Sequence, residues 1–171
     1  MYKINDTVIY GTEGICSVID IAERTFGGKT DVYYILRPLY KNGSTVMLPM
    51  SNTALVSRLK KLLTPEEVKE LIANIKNETG AEWIDNEKLR KENYRSVIMN
   101  GDRTELVRHI KRLYERTEEQ KLIGKKLHAC DERFLEDAQR ILHDEFSVVL
   151  GIPRDEVLAF IRDHAGLDKE A

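Results

Sequence analysis

The sequence is short of most features that mark an enzyme, a secreted scaffold or a membrane protein. It has two cysteines, Cys16 and Cys130, far apart in the chain. They cannot build a disulfide framework and read as reduced, structural thiols. No apolar run approaches the ~18 residues of a membrane-spanning helix, so no span is expected. The opening Met1-Tyr2-Lys3-Ile4-Asn5-Asp6 lacks the apolar core of a signal peptide, which points to the cytoplasm. His109, His128, His143 and His164 show no metal-ligand spacing with one another or with either cysteine, and no metal or cofactor is expected. A phosphate-cradling glycine loop is absent, and so is a Gly-x-Ser-x-Gly elbow. The acidic residues mostly sit at helix-surface spacing from Lys or Arg and read as solvated pairs. No catalytic residue emerges, and the chain does not read as an enzyme.

What is there is a heavily charged globular sequence. At 171 residues, with 42% apolar and 33% charged, it can hold one ordinary domain or two small ones. The net charge of −2 hides an asymmetry. Residues 83–126 carry 12 Lys/Arg against 8 Asp/Glu, a local +4, whereas residues 127–171 carry 5 against 11, a local −6. Only the first stretch could approach an anion such as DNA.

The hydrophobic period changes once along the chain. Residues 2–57 alternate in short runs: Thr7–Tyr10, a long strand from Ile15 to Arg24 with Ile15, Ile19 and Ile21 on one face, then Val32, Tyr34 and Leu36 in a third. Gly27-Gly28 and Asn42-Gly43 read as hairpin connections. Val46 and Leu48 share one face of the fourth strand, and Leu55-Val56 makes a fifth. So many short strands in so few residues predict a small SH3-like or Tudor-like antiparallel β-barrel over residues 1–60.

From Thr64 the period becomes helical. Thr64-Pro65-Glu66-Glu67 is a capping box, a second helix covers 86–99, and Asp102 caps a third. A polar connector over 117–128, a long helix over 129–149, a last helix from Pro153 and a fraying tail at 167–171 complete the reading. The fold class is α+β in two domains: the barrel, then an all-α domain of about five helices over residues 61–171.

Trp83, the single tryptophan, falls on the polar connector between Gly80 and the second helix. A lone tryptophan is most often a packing residue. Here it precedes a helix with Lys88, Lys91 and Arg95 on one side, so ring and cations could share a surface that meets duplex DNA. Arg90 falls within the apolar half of the same helix and also reads as a structural arginine capping a neighbour. Contact with about 3–5 phosphates supports only weak, non-specific binding, so the protein needs a tether. The strand Thr45-Val46-Met47-Leu48-Pro49 could supply one, since Thr45 and Met47 point away from the presumed core and the strand could extend a partner's sheet.

Taken in order, these segments resemble the CarD/CdnL family of bacterial transcription regulators along nearly the whole chain. At the front the resemblance rests on Ile4–Tyr10, Glu13–Val18, Tyr34-Ile35-Leu36 and Val46–Pro49. At the back it rests on Trp83, Arg90 to Asp102, Leu113–Arg116 and Ala138–Leu142. The front also resembles the RNA-polymerase-interacting domain of the transcription-repair coupling factor. The resemblance implies that the barrel binds the RNA polymerase β subunit through Arg24, Thr45 and Met47. It also implies that Trp83 wedges into the minor groove of promoter DNA at the upstream bubble edge without reading sequence, with Lys88, Arg90, Lys91 and Arg95 as the DNA-binding cations beside it. An open complex would thereby be stabilised. The alternative is a protein-interaction adaptor whose helices never touch DNA. A monomer and a domain-swapped dimer both stay open.

Overall fold

Two glycines in the left-handed region set the longest hairpin of the front half. Gly27 (φ 56°) and Gly28 (φ 78°) join β2 (Gly14–Phe26) to β3 (Lys29–Pro38), the backbone that a tight two-residue hairpin requires. The computed structural model describes residues 1–166; the tail at 167–171 lies outside the described residues. With β1 (Thr7–Tyr10), β4 (Val46–Pro49) and β5 (Leu59–Lys61), these strands make one antiparallel sheet in the order β4-β3-β2-β1-β5. β4 and β5 are therefore its edges.

The core of the sheet is Val8, Cys16, Val18, Tyr34, Leu36, Leu48 and Leu59. Cys16 and Val18 point inward, the opposite phase from the expected face of Ile15, Ile19 and Ile21. A bulge between Val18 and Asp20 then shifts the register, so Ile21 rather than Asp20 packs on the core. Two other expectations are corrected. Leu55-Val56 is not a strand but the end of a short helix, α1 (Thr53–Val56), because the Asn52 side chain accepts the Leu55 N–H at 3.1 Å and starts a turn. The fifth strand is Leu59–Lys61. Asn42-Gly43 does lie at a turn, with Gly43 at φ 79°, but within a longer connection over 39–45.

Burial pushes the Cys16 thiol up to about 12, with the Glu13 carboxylate adding to the effect. In the folded protein at pH 8, Cys16 is expected to react with a thiol reagent on the order of a hundredfold or more slower than in urea. Mass-spectrometric counting of modified sites in both states checks this.

The helical half opens on α2 (Pro65–Asn74). Thr64 Oγ1 accepts the Glu67 N–H at 3.2 Å, and Glu67 accepts the Thr64 N–H at 2.7 Å. Then come α3 (Glu87–Asn100), α4 (Arg103–Leu122), α5 (Ala129–Leu150) and α6 (Arg154–Ala165). Helix α4 runs well into the stretch expected to be a connector. Thr117, whose hydroxyl bonds the Leu113 carbonyl at 2.8 Å, and the i,i+3 pairs Arg116–Glu119 and Lys121–Glu118 suit a solvated helix.

Helix α5 supplies the apolar stripe Phe134, Ala138, Ile141, Leu142 and Phe146, all buried. It also buries Glu145, whose carboxylate takes two guanidinium bonds from Arg103, at 2.9 and 3.0 Å, and the Leu63 N–H at 2.8 Å. The chain divides into two compact units, Met1–Leu62 with Met99–Gly101, and Leu63–Ile98 with Asp102 onward. No helix of the described residues is long and apolar enough to cross a membrane.

Candidate functional site

The connector that carries Trp83 is pinned along its length. Ala81 N–H donates to the Arg108 carbonyl at 2.9 Å, Arg108 Nε donates to the Thr79 carbonyl at 3.2 Å, and Lys111 Nζ donates to the Glu78 carbonyl at 2.6 Å. Beyond the ring, Arg90 Nη1 donates to the carbonyls of Ile84 at 2.8 Å and Asp85 at 3.1 Å. A segment with almost no regular structure is thus tied to α3 on one side and α4 on the other.

Trp83 itself is partly buried. Three guanidinium groups approach its ring: Arg90 at 4.5 Å from the centroid, Arg116 at 5.0 Å and Arg112 at 5.9 Å. Contacts of this kind stabilise by ~0.5–2 kcal/mol each, depending on desolvation. Like charges this close need counter-ions. Glu119 bonds both Arg116, at 2.7 Å, and Arg112, at 3.4 Å, and the Arg116 bond is the main reason its carboxyl lies below the usual range.

Arg90, read from the sequence both as a DNA contact and as a structural arginine, is only 3% exposed. Its Nε and Nη2 grip the buried Asp131 carboxylate at 2.8 and 3.2 Å, while the Tyr94 hydroxyl donates to the same carboxylate at 2.8 Å. The bond to Asp131 keeps the guanidinium charged, raising its pKa against the opposing effect of burial. Burial first, and then Asp131, raises the Tyr94 phenol. The Tyr94 ring also stacks on Phe134 with centroids 4.1 Å apart. Arg90 therefore couples the connector under Trp83 to the core of the helical unit, in the structural role its place on the apolar half also allowed.

The remaining sequence candidates lie where the helical period put them. Lys88, Lys91 and Arg95 are all exposed on α3. Lys91 pairs with Glu87 one turn away, while Lys88 and Arg95 have no ion pair among the described residues. The structure brings Trp83 and Arg90 together. Arg112 and Arg116 were missed, although their i,i+4 spacing on α4 marks one cationic face. Beside the ring opens a polar cavity of about 120 Å³, walled by Trp83, Asp85, Arg116, Gln120, Lys126 and His128. A ring edge next to a cationic, water-accessible recess can hold an anionic oxygen and press on a flat apolar surface at once.

In the front unit, Arg24 lies exposed near the β2–β3 hairpin, its Nη2 3.8 Å from Asp20. Thr45 is exposed just before β4, and Met47, on β4, is 43% exposed. β4 pairs with β3 and, on its other side, with no strand among the described residues, so Met47 lies on a sheet edge.

Two comparisons with known proteins bear on this geometry. Residues 2–60 match the model of the CarD-like/TRCF RID domain. Over nearly its full length the chain is also similar to a protein of Bacillus subtilis (strain 168) named "Putative transcription factor YdeB". The two are 23% identical over 163 residues, covering 94% of this chain and 99% of the relative.

Proposed function

We propose that the chain acts as a member of the CarD/CdnL family, binding the β subunit of RNA polymerase through its front unit and stabilising the promoter open complex through its helical unit. The observation that carries the proposal is the guanidinium-stacked Trp83 ring on a connector tied down at both ends. A wedge must enter a base step without folding back, and rigid support below the ring provides that. Arg116 and Lys126 beside the ring, with Lys88, Lys91 and Arg95 on α3, offer cations to the flanking phosphates. The protein acts without reading sequence and needs no cofactor.

Its net charge of −2 makes recruitment by DNA alone inefficient. Fluorescence anisotropy of the isolated protein on duplex DNA is expected to give weak binding with a salt slope of roughly −3. With polymerase present, the same protein concentration should lengthen open-complex lifetime on competitor challenge. A tight, polymerase-independent complex, or an unchanged lifetime, would count against the proposal.

The edge strand supplies the tether. Met47→Glu places a charge on an exposed β4 position and leaves the seven-residue core of the sheet intact. It is expected to weaken binding to the polymerase β subunit about tenfold or more, with an unchanged thermal transition. Full affinity in a pull-down titration would move the docking surface off β4. The partial cover of Trp83 by arginines favours the second reading, an adaptor that never meets DNA. That reading requires polymerase binding with no lifetime effect.

A further inference from the structure

The helical unit has a second recess that the DNA reading does not use. Helices α4, α5 and α6, with the residues just past α2, surround a cavity of about 470 Å³. This falls inside the ~300–1,000 Å³ range of sites that enclose a small organic ligand. Its walls are mostly apolar: Ile75, Val107, Ile110, Leu142, Phe146 and Ile161. At its mouth Tyr114 is 50% and Leu158 41% exposed, large side chains left in water beside an open apolar hollow. A well-packed bundle core would be expected to close such a gap, because unfilled apolar volume forfeits contact energy.

The polar groups are few, and they have one sign. Lys76, Lys111 and Arg162 line the cavity, against one carboxylate, Glu115. Glu115 is engaged by Arg112 at 3.2 Å, and Lys111 is held by the Lys76 and Glu78 carbonyls at 3.2 and 2.6 Å. Lys76 and Arg162 have no ion pair or side-chain hydrogen bond among the described residues. His143, also on the wall, is held toward its neutral form by burial and by the Arg154 charge. The rim therefore offers two cations that have no partner among the described residues, above an apolar chamber, which is the complement of a molecule with an anionic head and an apolar tail.

We propose that this cavity binds a small amphipathic anion, with its tail between α4 and α6 over α5 and its carboxylate or phosphate head between Lys76 and Arg162. The site is independent of Trp83, whose recess shares none of these residues.

The test uses the full chain, with dodecanoate as the anionic probe and dodecanol as its neutral counterpart, followed by calorimetric titration below micellar concentrations. Saturable, near-stoichiometric binding of dodecanoate is expected, with dodecanol at least tenfold weaker. Two variants target different parts of the site. Lys76→Glu with Arg162→Glu alters exposed groups that have no ion pair among the described residues and should remove the preference for the anion. Ile161→Trp should fill the chamber and abolish binding of both probes. Thermal unfolding verifies that each variant folds, and the charge variant alone decides if the filled one does not. No saturable binding, or binding indifferent to charge reversal, overturns the proposal. A concentration-dependent dimer in sedimentation that Ile161→Trp dissolves would also overturn it, since the occupant is then a second copy.

Discussion

Replacing Arg90 by Ala is expected to destabilise the helical unit by about 3–5 kcal/mol. The reason is the partner left behind. Asp131 is 1% exposed, and without Arg90 its carboxylate keeps the Tyr94 hydroxyl but loses both guanidinium bonds. The connector loses two further bonds, those to the Ile84 and Asp85 carbonyls, and the Trp83 ring loses its nearest cation. Taking both charges away together should cost less. Arg90→Met with Asp131→Asn leaves no buried charge, and the Asn amide oxygen can still accept the Tyr94 hydroxyl, so about half the loss should return. Urea unfolding followed by Trp83 fluorescence measures both, since the single tryptophan reports on this unit. A single variant within about 1 kcal/mol of wild type would show that the pair is not an anchor.

Trp83→Ala should abolish most of the open-complex lifetime gained from the protein while leaving its affinity for polymerase unchanged. Base–aromatic stacking is worth ~1–3 kcal/mol per ring, and about 1.4 kcal/mol is a tenfold change in lifetime. The ring is only partly buried, and its arginine neighbours keep Glu119 and Asp131 as partners, so the fold should survive the substitution. Trp83→Phe should retain part of the effect, because it keeps a stackable face. Equal lifetimes for wild type and the alanine variant would sink the wedge and leave the adaptor reading.

These two substitutions separate what was legible from what was not. The α3 period alone put Lys88, Lys91 and Arg95 outside and Leu89, Tyr94, Val97 and Ile98 inside; the exposures agree except at Leu89, which is 55% exposed. The same period put Arg90 on the inner half, yet it could not say whether the charge would snorkel outward or find a partner. That depended on Asp131, 41 residues later, which no local pattern links to it. Likewise the phase of β2 followed a bulge at Ile19, a backbone choice that alternation counting cannot see. Leu55-Val56 misled because β-branched and apolar residues suggest a strand, while the Asn52 cap acts through one hydrogen bond.

The sequence by itself determined the class of the fold, with a β-rich front and an all-helical back, because periods of 2 and 3.6 are local properties of the chain. It also determined most of which side of the helices meets water and, through its ordered motifs, a resemblance to the CarD/CdnL family. Only the tertiary structure decided that Trp83 lies among Arg90, Arg112 and Arg116, and that Arg90 is buried against Asp131 beneath the ring. The apolar chamber above α5 was likewise invisible until the helices had packed. These facts depend on residues tens of positions apart meeting across α3, α4 and α5, and such meetings are set by how the helices pack rather than by any spacing along the chain.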